Sequence, residues 1–105
     1  METPPTIDPT DRPRLASFVR QLYDRTRESW VLQAPERVLV LDETSKEILD
    51  LCDGSTAVEA IVAQLAAVYD APHDIIAHDV DAVLRLMAEK NFLDLGGDPS
   101  GGDEG

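Results

Sequence analysis

The stretch from Pro35 to Gly54, PERVLVLDETSKEILDLCDG, constrains the fold of this chain most strongly, because within it a strand must become a helix almost at once. Arg37 to Leu41 is a run of valine and leucine behind one arginine, long enough for a strand and too short for a helix. At Asp42 the pattern changes. An acidic residue able to cap a helix is followed by Thr44 and Ser45, then by Ile48, Leu49 and Cys52 at helical spacing. Gly54 is expected to stop that helix, since glycine adopts the left-handed turn past a helix end without steric penalty.

Upstream, Phe18, Val19, Leu22 and Tyr23 form a short run ended by the polar segment Asp24-Arg25-Thr26-Arg27-Glu28. Trp30, Val31 and Leu32 make a second run, and Ala34-Pro35-Glu36 turns it into the third, Pro35 presetting φ for a tight turn. Three strands joined by short loops predict an antiparallel meander. Downstream, Thr56 and Glu59 have capping-box spacing, and Val58, Ile61, Val62, Leu65 and Tyr69 fall on one helical stripe. A break at Asp70-Ala71-Pro72 precedes a third helix with Ile76, Val80, Val83, Leu84 and Met87 on its stripe, widened by Ile75, Ala82 and Leu86. Asn91 is expected to end it, with Phe92-Leu93-Asp94-Leu95 a short extended segment on the core. The predicted fold class is α+β and winged-helix-like, a three-stranded antiparallel meander followed by three helices. Trp30, Leu32, Ile48 and Cys52 are assigned to its core.

The predicted domain spans 15–95. Residues 1–14 carry four prolines and neither helical nor strand periodicity, and are expected to form a disordered or linker-like arm. Residues 96–105 contain no large apolar residue and are expected to form a disordered acidic tail. With 105 residues and 43% apolar content, one modest core is expected.

Charge and side-chain inventory exclude several function classes. The formal net charge of −12 opposes binding to a phosphate backbone, which needs clustered Lys and Arg. A winged-helix DNA reader would need a basic third helix, yet Asp74, Asp79, Asp81 and Glu89 stand there against Arg85 and Lys90. One cysteine and two histidines lack paired metal-ligand spacing, so neither a metal nor a cofactor is implied. Cys52 lies on an apolar helix face and is read as packing, not as a nucleophile. The carboxylates are scattered over polar helix faces, so no acid/base pair is assigned and the chain is not expected to be an enzyme. A basic and apolar leader is missing from the start, no apolar run approaches the roughly 20 residues of a membrane span, and a cytoplasmic location is expected.

Arg12-Pro13-Arg14-Leu15, Tyr23-Asp24, Trp30-Val31-Leu32, Pro35-Glu36-Arg37-Val38-Leu39, Asp42-Glu43-Thr44 with Ile48-Leu49, and Leu51-Cys52-Asp53-Gly54 follow one another in an order that closely resembles the PqqD family of pyrroloquinoline quinone biosynthesis. The resemblance covers about Arg12 to Leu95. Asp42 stands where asparagine is common in relatives, a conservative change for a helix cap. The resemblance implies a non-enzymatic peptide chaperone, a recognition element for ribosomally made and modified peptides. Such a domain binds the precursor peptide PqqA and presents it to the radical SAM enzyme PqqE, which joins a glutamate and a tyrosine of that peptide. Related domains add the leader as an extra strand against the third strand, beside the third helix.

The residues fit that mechanism on their own terms. An exposed strand edge offers main-chain hydrogen bonds to an extended peptide, and neighbouring apolar pockets select its side chains. The predicted peptide-binding residues are Arg37, Val38, Leu39, Val40 and Leu41 on the strand, with Val80, Val83, Leu84 and Met87 on the third helix. Leu39 and Leu41 are read as facing the core and Val38 and Val40 the other way; a slip of one residue would exchange the two sets. Ordinary core packing is the competing reading for each. The competing function is a structural or dimerising domain, a homodimer through paired strand edges.

Overall fold

A computed structural model describes residues 7–95 of the chain. The elements are β1 (Arg14–Leu15), β2 (Arg20–Asp24), β3 (Ser29–Ala34), β4 (Arg37–Val40), α1 (Glu43–Asp50), α2 (Val58–Tyr69), α3 (His73–Glu89) and β5 (Leu93–Asp94). The expected meander is β2-β3-β4, antiparallel throughout with β3 in the centre, and the three helices follow it. A short second ladder pairs β1 with β5, antiparallel.

The core forms where the inner face of the meander meets the helices. Leu32 and Leu41 from the sheet side join Ile48, Ile61, Leu65, Val80, Leu84 and Phe92 in one cluster. Burying each such side chain contributes roughly 1.5–3 kcal/mol, so this cluster dominates the stability of a small domain. Leu32, Ile48 and Cys52 occupy the core as the sequence predicts. Trp30 does not: it is 37% exposed. Its ring lies near the open end of β3, edge-on to Tyr23 at 5.4 Å between centroids, with the Lys46 ammonium 4.4 Å above it. Strand position explains the difference, since Trp30 sits next to the β2–β3 turn, where polar residues of α1 and not apolar ones face it.

The turns follow local chemistry. Pro35 and Glu36 alone connect β3 to β4, with Ala34 opposite Arg37. Glu36 takes φ +76°, the conformation a type II turn demands at its second central residue and one that a side chain adopts at a cost. Asp42 caps α1 through its side chain, which accepts from the Ser45 N–H at 2.8 Å. That bond holds the Asp42 carboxyl below its ordinary value. Asn91, at φ +64°, ends α3 as expected, the Phe92 N–H then turning back to the Met87 carbonyl at 2.9 Å.

Three expectations are corrected. First, α1 ends at Asp50, capped by Leu51, before Gly54 is reached. Gly54 serves a close approach instead: at φ +83° its N–H donates to the Pro13 carbonyl at 2.9 Å, and a Cβ there would lie 3.3 Å from Arg14 Cδ. Second, no capping box forms at Thr56 and Glu59, for α2 begins at Val58 and has no side-chain cap. Thr56 is held by the Asp53 carboxylate, which accepts from the N–H groups of Ser55 and Thr56 and lies below its ordinary pKa for that reason.

Third, residues 7–14 are part of the folded domain and not a free arm. The Asp11 carbonyl accepts from Val58 N–H at 2.9 Å and the Pro9 carbonyl from Glu59 N–H at 3.0 Å, which satisfies donors that every helix start leaves open. Asp11 and Pro13 are buried. Proline-rich chain lacks periodicity but keeps all its carbonyls, so it can cap a helix without forming one. The remainder of the expected arm, 1–6, and the expected tail, 96–105, lie outside the described residues.

Candidate functional site

The phase of the β3–β4 ladder decides what β4 offers to a partner. Leu41 N–H donates to the Trp30 carbonyl at 2.9 Å. In an antiparallel pair, residues alternate between those that bond the neighbour and those whose main-chain groups point away. With Leu32 opposite Leu39 and Ala34 opposite Arg37, the residues of β4 that bond β3 are Arg37, Leu39 and Leu41. The N–H and C=O groups of Val38 and Val40 therefore point outward. No strand pairs with that side of β4 among the described residues.

Side chains follow the same alternation. Leu41 is buried and Leu39 is half-buried against the core, whereas Val38 and Val40 are 49% and 52% exposed on the opposite face. The predicted orientation of the two sets holds. Arg37 shares the face of Leu39 and is exposed. Its Nη2 donates to the Lys90 carbonyl at 2.8 Å, and its guanidinium carbon lies 4.5 Å from the centroid of the Phe92 ring.

The third helix meets the expectation only in part. Val83 is half-buried at the surface of the core, but Val80, Leu84 and Met87 are 1%, 0% and 2% exposed and belong to the core itself. They cannot touch a ligand while the core is closed. The outer flank of α3 is a different stripe. Asp79 lines a hollow with Thr44, just past the end of β4, and Lys90, which follows α3, lines another with Arg37 and Val38, at the beginning of β4. Asp79, Val83, Leu86 and Lys90 are spaced four, three and four apart, so they lie on one side of α3 and its end. Leu86 is 45% exposed upon it. Leu86 appeared in the sequence only as a widening of the apolar face; the exposed position of such a flanking leucine was the available signal, and the depth of the core hid it.

The groove beside the start of β4 is lined by Glu36, Arg37, Val38, Leu39, Lys90 and Phe92, apolar at Leu39 and Phe92 and positively charged at Arg37 and Lys90. Nothing in it resembles a catalytic group. Burial pushes the Cys52 thiol up to about 12, with help from Asp53 and Asp50, and its Sγ is tied to the Ile48 carbonyl at 3.4 Å. Among the described residues no cluster of three or more His, Cys, Asp or Glu is placed to hold a metal, and no helix is long and apolar enough to cross a membrane.

Fold and edge together define a winged-helix-like domain in which, among the described residues, the β4 edge is open and the end of the last helix lies beside its first residue. Residues 29–93 match the model of the family described as coenzyme PQQ synthesis protein D (PqqD), and the chain belongs to that family. It is 46% identical over 88 residues to the PqqA binding protein of Rhodopseudomonas palustris strain BisB5, covering 84% of this chain and 86% of that one. The PqqA binding protein of Bradyrhizobium diazoefficiens is likewise 46% identical over 88 residues, 84% of this chain and 85% of the relative. Among solved structures, the PqqD truncation of Methylobacterium extorquens PqqCD, a functional stand-alone recognition element for ribosomally synthesized and post-translationally modified peptides, aligns with a TM-score of 0.75. The two are 37% identical, and the alignment covers 87% of this chain and 97% of that one. TbiB1, solved in complex with the TbiA(beta) leader peptide, shares the fold at a TM-score of 0.68 and 22% identity, over 81% of this chain and 99% of that one.

Proposed function

We propose that this protein is a peptide chaperone of pyrroloquinoline quinone biosynthesis, which binds the precursor peptide PqqA as an added strand on β4 and presents it, without catalysis of its own, to the radical SAM enzyme PqqE. The observation that carries this reading is the outward direction of the Val38 and Val40 main-chain groups, with the end of α3, at Lys90, beside the first residue of that strand. An extended peptide laid there gains regular main-chain bonds, and its alternate side chains enter the groove or cover the valines. The names of the relatives support PqqA as the guest. Leu41 closes the core end of the strand, and Val80, Leu84 and Met87 support the wall from behind.

Ordering a flexible peptide costs about 2–5 kcal/mol or more, so a moderate affinity is expected from the chaperone alone. Calorimetric titration with PqqA peptide tests the reading. Val38→Pro and Val40→Pro each remove an outward N–H without removing a ladder bond, and each should weaken binding in a folded variant. Unchanged affinity in both would refute strand addition.

One observation favours a second reading. The same free edge, with its two exposed valines, can pair with that of another copy, giving a homodimer. Sedimentation with and without the peptide separates the two, because a peptide on β4 must displace a paired edge.

A further inference from the structure

We propose that Arg37 is a specificity residue of the groove, which selects a bound peptide carrying an aspartate or glutamate directly across from it. This rests on strand addition at β4. The chain is strongly acidic overall, and Arg14, Arg27, Lys46 and Arg85 answer that charge, each facing an aspartate. Arg37 faces none within ion-pair distance among the described residues, although Glu36 precedes it. It is held by neutral groups, the Lys90 carbonyl at 2.8 Å on one nitrogen and the Phe92 ring at 4.5 Å. A guanidinium has five N–H donors in a fixed fork, so this arrangement fixes the plane of the group and leaves donors for a planar carboxylate. Lys90 lines the same hollow and adds a second positive charge.

Strand geometry says which peptide side chain arrives there. A residue on an added strand lies roughly 5 Å from its opposite on β4 and projects to the same face. The residue opposite Arg37 therefore points toward Arg37 and Lys90, and the one two positions along points onto Leu39. The recognised pattern is an acidic residue, any residue, then an apolar one, read from the Arg37 end.

The test is a set of synthetic PqqA peptides, each with one Asp or Glu replaced by its amide, titrated calorimetrically against the native chain and against Arg37→Gln. The native chain should bind the unsubstituted peptide about five- to tenfold more tightly than Arg37→Gln does, the range between an exposed ion pair and a positioned forked one. One amide peptide should lose that same factor with the native chain and lose nothing further with Arg37→Gln. Arg37→Glu should recover binding to the peptide in which that one acid is lysine. Because Arg37 also holds the end of α3, the native chain alone provides a second readout: the same amide peptide should bind with a flatter salt dependence. Equal affinity of the native chain and Arg37→Gln for the unsubstituted peptide overturns the proposal, as does a loss that is the same for every amide peptide, which is the mark of a merely structural arginine. Failure of the native chain to bind PqqA at all removes strand addition itself, and this inference with it.

Discussion

The two edges of the meander carry the same kind of main-chain groups and opposite kinds of side chain. On β2, the register places Gln21 and Tyr23 main-chain groups outward, since Arg20, Leu22 and Asp24 bond β3. That edge is managed: Arg20 and Asp24 are charged, Gln21 is tied by its amide to Asp50 Oδ1 at 2.9 Å, and the Asp24 carboxylate turns back to accept from Thr26 and Arg27. On β4 the outward positions are valines, about half exposed and without charge. Charge on an edge discourages pairing, and its removal invites it. On the proposed function, a domain of this size acquires a binding strand by leaving one edge unprotected.

Mutations can break or sharpen this contrast, and the largest expected effect lies behind the edge. Leu84→Ala should lower unfolding stability by about 2–5 kcal/mol in urea denaturation, because the side chain is fully buried, with little change in peptide affinity per folded molecule. Leu86→Ala should do the reverse, moving stability by no more than about 0.5 kcal/mol and weakening the peptide several-fold. If Leu84 and Leu86 exchange these roles, the groove lies on another flank of α3. Next, Val38→Pro or Val40→Pro should weaken PqqA by about tenfold or more in calorimetry, whereas Tyr23→Pro, on the other edge, should leave affinity within about twofold once folding is verified. Equal losses on both edges would erase the distinction drawn here.

Smaller effects come from the joints. Asp42→Ala removes the α1 cap just past β4 and should cost about 1 kcal/mol. Its carboxyl, like that of Asp24 at the end of β2, is held below the ordinary value of 3.8 by backbone N–H donors, the Arg27 N–H being the main one at Asp24. A depressed folded value contributes stability that is present above the unfolded value and lost as pH falls through the folded one. Denaturation midpoints should therefore hold at pH above about 5 and decline below about 4, less steeply in Asp42→Ala. The smallest effect is a gain: Glu36→Gly relieves the positive φ at the turn into β4 and should stabilise by a few tenths of a kcal/mol to about 1 kcal/mol.

Much of the frame was legible in the residues. The run Arg37 to Leu41, the Asp42 cap, the stripes of α2 and α3 and the stop at Asn91 rest on interactions within a turn or two of chain, and so does the Pro35-Glu36 connection. These forces act locally, and a sequence displays its local neighbours. The start of α2 was misread for the opposite reason. Thr56 and Glu59 have the spacing of a capping box, but the donors of Val58 and Glu59 are met by carbonyls of Asp11 and Pro9, far back in the chain.

The site divides in the same way. That β4 would be a strand, and that Val38 and Val40 would share one face, could be read from alternation along the chain. Which main-chain groups stay unpaired could not, for that depends on the phase in which β4 docks on β3. The sequence likewise showed a broad apolar surface on α3 without its depth. Only packing placed Val80, Leu84 and Met87 inside and left Val83 half-buried and Leu86 exposed, because burial depends on what the other elements cover.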